Sequence, residues 1–326
     1  MERFKVLLPQ PVAEEGIRCL QAAGCEAVHA DGTDEHTLIK AVQDCDAILV
    51  RTARITRQII ESADKLKVIA RHGVGLDNVN IAAASERGIY VCNAPTANIH
   101  SVAEHVLGLM IAVSHFIPAA DKALRRGDFA TRNYFIGNEL LGKTVGLIGC
   151  GNIGKLVAQK CALGLGMKVI AFDPNINRPE QDFIEMVSTV EEVLRRADYV
   201  SLHLPYSPEL HHFIHTYKLK LMKSSAYLIN AARGGLVDEQ ALYDALVSKS
   251  LAGAALDCFE KEPPLPNHPL WELENVVVTP HMAAHTKEAM IRMAMIPAEE
   301  IIRVKNGKQP NVWINRDLFK EGEIHH

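Results

Sequence analysis

The sequence predicts an α/β protein made of two doubly wound parallel-sheet domains, one inserted in the other. Three observations carry that prediction. Short apolar runs alternate with amphipathic segments along nearly all of the chain, one long apolar helix divides this alternation into two series, and a final helix follows the second. Strands buried on both faces read as continuous apolar runs, and parallel strands need crossovers of a dozen or more residues. With 326 residues and 48% apolar content the chain can fill two cores, since single cores stop growing at roughly 250 to 300 residues.

The first series offers strands at Phe4–Leu8, 27–29, Ala47–Val50, 67–70 and 89–92, with crossover helices such as 13–22 and Glu35–Val42 between them. A largely apolar helix over 101–126 follows, interrupted by Pro118 and ended by Gly127, and reads as a strut between domains. The second series has strands at Thr144–Ile148, Lys168–Phe172, 199–204, 226–230, 252–256 and 275–279. Six strands with five intervening helical segments make two mononucleotide-binding halves. A helix over Lys287–Lys305 leads to an irregular tail at 310–324, in which Trp313 and Phe319 are available for packing. That helix is expected to return to the first domain, which is then discontinuous.

Composition excludes several function classes. Lys+Arg of 35 against Asp+Glu of 39 gives a net charge of -4, which leaves no excess of positive charge for a polyphosphate backbone, so no nucleic acid partner is expected. Seven scattered cysteines with no C-x-x-C pair disfavour a disulfide framework and a structural zinc site. His211 and His212 have no third ligand at metal-binding spacing, and no metal is expected. No apolar stretch of about 18 residues is present, and the first residues run too quickly into Pro9 and Pro11 for a signal peptide. The expectation is a soluble, cytoplasmic protein with no membrane partner.

The clearest motif is Gly149-Cys150-Gly151-Asn152-Ile153-Gly154, placed between a strand and a helix. Gly149 permits a tight turn, Gly151 lets backbone amides approach a pyrophosphate, and Gly154 allows close helix-strand contact; this is the Rossmann dinucleotide pattern. The next strand ends at Asp173, 19 residues beyond Gly154, where a carboxylate can accept both ribose hydroxyls and repel the extra phosphate of NADP. The other reading makes Asp173 the start of an Asp-Pro turn. Arg178 nearby keeps NADP open beside NAD. Cys150 reads as a small buried filler.

If the dinucleotide serves hydride transfer to a keto acid, the chain must also supply a carboxylate clamp, a proton donor and a group that tunes the donor. In open parallel sheets such groups gather at strand C-termini. Arg233 follows a strand in Asn230-Ala231-Ala232-Arg233-Gly234-Gly235, and its planar fork suits a carboxylate and adjacent carbonyl. His281 closes the last strand after Pro280, where an imidazole is placed to protonate an oxygen. Glu262, held by two prolines, favours the protonated imidazole if it meets His281; alone it reads equally as part of a solvated charge run. In the first domain Arg71-His72-Gly73-Val74-Gly75 follows a strand, and its glycines either expose the amides of Val74 and Gly75 to an anion or make a simple turn.

Together these motifs resemble the D-isomer-specific 2-hydroxyacid dehydrogenase family, closest to its 3-phosphoglycerate dehydrogenase and hydroxypyruvate reductase branch. The likeness covers 73–78, 93–95 with 101–104, 146–154, 230–238, 255–263 and 279–281. It implies a flavodoxin-like substrate-binding domain of residues 1–98 and 286–326, with a Rossmann NAD-binding domain of residues 99–285 inserted in it. It implies that Arg233 binds and polarises the substrate, His281 is the acid/base and Glu262 its partner. Val74 and Gly75 then hold the substrate carboxylate. Around the cofactor it points to Gly149, Gly151, Asn152, Ile153 and Asp173, to Pro205 near adenine, and to Ala231, Arg233, Asp257, His281 and Ala284 near nicotinamide.

Arg51 resembles a position facing the substrate, where it meets a phosphate or carboxylate or else forms a surface salt bridge. Thr96 stands where many relatives carry glycine or a bulky residue. Such enzymes close two domains over the substrate, with hinges expected near 97–101 and 283–286, and are usually homodimers joined through the nucleotide domain. The chain stops short of a C-terminal regulatory domain, so serine feedback is not expected. The expected partner is a small 2-keto or 2-hydroxy acid. An alternative is an NADH-sensing scaffold like the corepressors of the same fold, without turnover.

Overall fold

The computed structural model describes residues 3–318 apart from 177 and 180. It divides into two compact units, one holding the described residues of Met1–Asn98 and His285–His326, the other those of Ile99–Ala284.

The first unit runs β1 (Phe4–Leu8), α1 (Glu14–Ala22), β2 (Cys25–His29), α2 (Glu35–Val42), β3 (Ala47–Val50), α3 (Arg57–Glu61), β4 (Val68–Arg71), α4 (Ile81–Glu86) and β5 (Tyr90–Cys92). All pairings are parallel in the order β2-β1-β3-β4-β5, the flavodoxin-like winding. Alternate strand residues feed opposite cores, as a period of two requires. Leu7, Ile48, Val50 and Ile69 pack beneath α2 and α3, whereas Val6, Leu8, Leu49 and Ala70 pack with Leu20 and Ile301. Each such Leu, Ile or Val side chain contributes roughly 1.5–3 kcal/mol. Side-chain caps start the helices: Asp34 accepts from the Thr37 amide, Thr56 from Ile59 and Asn80 from Ala83.

The C-terminal helix, Lys287–Lys305, packs on α1. Gly16 makes this possible, because a Cβ there would fall 2.8 Å from that of Ala294. Beyond the helix the Ile314 amide donates to the Val91 carbonyl, and Asn315 bonds Val91 and Ile89, which lays the tail beside β5. Trp313 meets Tyr90 edge-on; Phe319 lies outside the described residues.

The second unit opens with α5 (Ile99–Ser114) and α6 (Ile117–Arg125), followed by β6 (Thr144–Ile148), α7 (Asn152–Gln159), β7 (Lys168–Phe172), β8 (Ile184–Met186), α8 (Val190–Arg196), β9 (Tyr199–Leu202), α9 (Thr216–Leu221), β10 (Tyr227–Asn230), α10 (Glu239–Val247), β11 (Gly253–Leu256) and β12 (Val276–Val278). The sheet is parallel throughout in the order β12-β11-β10-β9-β6-β7-β8, a doubly wound sheet whose order reverses beside β6. The predicted fold class is the one observed.

Three details differ from the sequence reading. The strut is two helices bent by 61°, and the break is at Phe116, a left-handed residue at φ +54°. Pro118 lies in the first turn of α6, where its missing N–H costs nothing. A seventh strand, β8, is only three residues with a charged, exposed centre, too short for a periodic signal. Among the described residues only four α-helices connect the strands, since the connection to β12 carries just a 3-10 turn, Pro269–Glu272. Among the described residues no single helix is long and apolar enough to cross a membrane.

Candidate active site

Because every strand of the second unit points the same way, the residues that follow β6, β7, β9, β10, β11 and β12 all emerge at one edge of the sheet. The glycine loop follows β6, Asp173 follows β7 and Pro205 lies beyond β9. Ala231 and Arg233 follow β10, Asp257 and Glu262 follow β11, and His281 and Ala284 follow β12. The edge of a parallel sheet beside its point of reversal is where ligands sit in such folds.

The three motif glycines have different physical reasons. A Cβ on Gly149, which has φ +97°, would meet the His203 carbonyl oxygen at 2.6 Å, and one on Gly154 would meet the Gly149 oxygen at 2.5 Å. Internal packing therefore accounts for both. Gly151 has nothing within 4 Å of that position, so the chain itself gives no reason for glycine there. It caps α7, whose first amides, those of Asn152 and Ile153, have no intrahelical partner. The space left by the missing side chain and the free helix N-terminus fit a pyrophosphate.

Asp173 faces this loop. Its Oδ2 accepts from the Cys150 amide at 2.8 Å and its Oδ1 from the Asn175 amide at 2.9 Å. A carboxylate offers about four acceptor directions, so two remain for ribose hydroxyls.

Asn230 shapes the Arg233 loop: its Oδ1 accepts from the Ala232 amide at 3.1 Å and its Nδ2 donates to the Arg233 carbonyl at 2.9 Å. Arg233 is half-buried, and its Nη1 donates to the Ala232 carbonyl at 2.7 Å. His281 Nδ1 lies 2.7 Å from Glu262 Oε2, while Glu262 Oε1 accepts from the Phe259 amide at 3.1 Å. Burial opposes ionisation of Glu262. The His281 hydrogen bond and charge, the Phe259 amide and the field of Arg233 outweigh it, holding the carboxyl below its usual range. With Nδ1 committed to Glu262, Nε2 is the imidazole nitrogen left for chemistry.

His281 is left-handed, at φ +49°, and its loop is tied down from below. Asp257, 1% exposed, accepts from Thr279 Oγ1 at 2.6 Å and from the amides of Met282 and Ala283 at 2.8 Å each. His105 on α5 lies 3.0 Å from Thr279 Oγ1, and Ser101 donates to the Ala283 carbonyl at 2.6 Å. Burial pushes against the charge on Asp257, but the bonds from His105, Thr279, Met282 and Ala283 hold its carboxyl below the usual range. Sequence reasoning missed His105, Thr279 and Ser101, because nothing along a helix or a strand end marks a contact across more than 170 residues.

In the first unit, the amides of Val74 and Gly75 donate to no described residue. The loop is fixed instead by Asn93, whose Nδ2 donates to the Val74 carbonyl at 2.8 Å, and by the Ala94 amide on the Gly73 carbonyl. Arg51, which follows β3, places Nη2 3.3 Å from His285 Nε2. His72 is buried with Nε2 unpartnered, and burial, then the fields of Arg51 and Arg71, pushes it down to about 4. The neutral imidazole thus sits among cations. Among the described residues no three His, Cys, Asp or Glu side chains are arranged to hold a metal.

The family model of the D-isomer specific 2-hydroxyacid dehydrogenase NAD-binding domain matches residues 107–283. The D-3-phosphoglycerate dehydrogenase of Methanocaldococcus jannaschii is 44% identical over 314 residues, 95% of this chain and 59% of that protein. A hydroxypyruvate reductase of Thermotoga maritima is 39% identical over 306 residues, 93% of this chain and 99% of that protein. The crystal structure of a Thermus thermophilus protein superposes with a TM-score of 0.89 at 33% identity, covering 95% of this chain and 100% of the other. The chain spans between half and three-fifths of the length of the phosphoglycerate dehydrogenases it matches.

Proposed function

The chain belongs to the D-isomer-specific 2-hydroxyacid dehydrogenase family, and on that premise we propose that it is an NAD-dependent oxidoreductase moving a hydride between nicotinamide and the carbonyl carbon of a small 2-keto acid. The observation that carries the reading is the 2.7 Å pairing of His281 with Glu262 at the sheet edge that also bears the glycine loop.

When bound, the nicotinamide supplies the hydride for reduction or takes it in the reverse direction. In reduction Arg233 grips the substrate carboxylate and polarises the adjacent carbonyl. His281 gives the proton on Nε2 to the oxygen as the carbon receives the hydride, so keto acid, hydride and proton balance to the hydroxy acid. Glu262 orients the imidazole through its bond to Nδ1. In the first unit the amides of Val74 and Gly75, which donate to no described residue, are the proposed donors to a carboxylate. Asn152, Ile153 and Asp173 would hold the dinucleotide, with Pro205 on its adenine side and Ala231, Asp257 and Ala284 on its nicotinamide side.

Asp173 favours NAD over NADP, since its carboxylate would oppose a 2′-phosphate. Arg51, whose Nη2 lies 3.3 Å from His285 Nε2, favours a keto acid with a second anionic group, of the 3-phosphoglycerate type, over glyoxylate. We further propose a homodimer joined through the second unit, where Phe129, Tyr134, Ile136, Leu141 and Leu163 stand exposed. Seven free cysteines, six of them buried, support a reducing cytoplasm. Nothing favours the scaffold alternative.

A panel of 3-phosphohydroxypyruvate, hydroxypyruvate, glyoxylate and pyruvate, scored by oxidation of NADH and NADPH, tests the reading. Turnover with NADH, fastest on the phosphorylated acid, is expected. No turnover on any of them would overturn it.

A further inference from the structure

Two carboxylates next to the Glu262 loop have no place in the chemistry above. Glu239 is the first residue of α10, and Glu260 lies in the loop after β11, two residues before Glu262. Each caps the other: the Glu260 amide donates to Glu239 Oε1 at 2.8 Å, and the Glu239 amide donates to Glu260 Oε1 at 2.8 Å. Two imidazoles back the pair. His268 Nε2 lies 3.0 Å from Glu239 Oε2, and His212 Nε2 approaches Glu260 Oε1 at 3.2 Å, an ion-pair distance without hydrogen-bond alignment. His268 Nδ1 accepts from the Leu270 amide, so its ring proton is on Nε2 and points at Glu239.

A helix-capping role does not account for Glu239, because Asp238 already caps α10 by accepting from the Ala241 amide at 2.9 Å. The acid is spent on the neighbouring loop instead. That loop is also pressed from the Arg233 side: a Cβ on Gly234 would fall 1.8 Å from the Phe259 carbonyl carbon and 2.5 Å from the Glu260 nitrogen. The Phe259 amide in turn donates to Glu262. Residues 259–262 are thus fixed at Phe259, at Glu260 and at the carboxylate that meets His281.

We propose that Glu239 and Glu260 form a reciprocal carboxylate clamp that positions Glu262, and through it His281, for proton transfer. The inference rests on the dehydrogenase reading for its consequence but not for its geometry. Both acids are positioning residues. The charged groups around Glu262 are His281 and Arg233, and those around the clamp are His212, His268, Asp238 and Lys261. Loosening the clamp leaves Glu262 less engaged by His281 and the Phe259 amide, so its carboxyl protonates at higher pH.

Glu239→Ala removes the acceptor for the Glu260 amide. Glu260→Gln keeps the oxygen that the Glu239 amide uses. In Glu239→Ala, amide hydrogen exchange across 258–262 should quicken about tenfold, the worth of one hydrogen bond. Its kcat for keto-acid reduction should fall about tenfold with NADH affinity within about twofold, and the acid limb of its pH–rate profile should move to higher pH. Glu260→Gln should match the parent in all three. Parent-like exchange in Glu239→Ala, or faster exchange with an unmoved acid limb, would overturn the positioning role. Should Glu239→Ala fail to bind NADH or to fold, Glu260→Ala on the exposed loop gives the same comparison. If the parent turns over no keto acid, the exchange arm still decides the clamp while the dehydrogenase reading falls.

Discussion

Asp257 accepts the Thr279 hydroxyl at 2.6 Å, joining the end of β11 to the end of β12 two residues before His281. The buried carboxylate is the anchor for a loop whose left-handed histidine would otherwise be free to relax. Asp257→Asn keeps one oxygen and loses the other, so it should cost about 1–3 kcal/mol of stability near neutral pH. Its folded carboxyl titrates below the ordinary range, so its stabilisation is complete above the unfolded value of about 4 and fades as the pH falls through the lower folded value. Denaturant melts between pH 3 and 7 should show the gap between parent and variant closing only at the acid end. A constant gap would mean the charge is not what matters.

Gly234 and Gly151 should behave oppositely. Alanine at Gly234 would collide with the Phe259 carbonyl carbon at 1.8 Å, and the backbone must move, so a loss of about 4 kcal/mol or more, with no activity, is expected. Alanine at Gly151 meets nothing within 4 Å and should change stability by less than about 0.5 kcal/mol. Its methyl would occupy the space assigned to the pyrophosphate, so NADH affinity should fall at least about tenfold. Thermal melts and NADH fluorescence titrations of both variants check this pair. Unchanged NADH affinity in Gly151→Ala would remove the loop from the cofactor site.

Asp173→Ser should lower kcat/KM for NADH by about tenfold or more while leaving that for NADPH equal or higher, because the repulsion of a 2′-phosphate goes with the carboxylate. Steady-state assays with both cofactors decide it. An equal drop for both would mean that Asp173 serves only the loop, through its bond to the Cys150 amide.

Ile136→Lys, at an exposed apolar position of the second unit, should weaken the proposed dimer. Light scattering behind size exclusion should show the parent at twice the chain mass and the variant shifted toward the monomer. A monomeric parent would sink the dimer.

Much of the fold was legible because its signals are local. Parallel strands such as Ala47–Val50 are buried on both faces and read as unbroken apolar runs, and Gly149 to Gly154 announces a turn between strand and helix. Strand ends also placed Arg233, Glu262 and His281 near one edge before any distance was known. What stayed hidden depends on contacts made only in three dimensions. The strut breaks at Phe116, whose left-handed backbone has no residue signature, and Pro118 drew attention to the wrong place. Glu185 at the centre of β8 breaks the apolar run. Glu239 and Glu260 look like solvated charges in sequence and become reciprocal caps only when α10 meets the loop after β11. His105 reaches Thr279 from a helix that reads simply as apolar.

The proposed proton-transfer role of His281, whose Nδ1 lies 2.7 Å from Glu262, is tested most directly by the pH–rate profile of NADH-dependent keto-acid reduction in His281→Ala beside the parent. The account predicts a loss of at least about a hundredfold in kcat, with NADH affinity within about twofold of the parent. A variant that keeps the parental rate and the parental profile would contradict it.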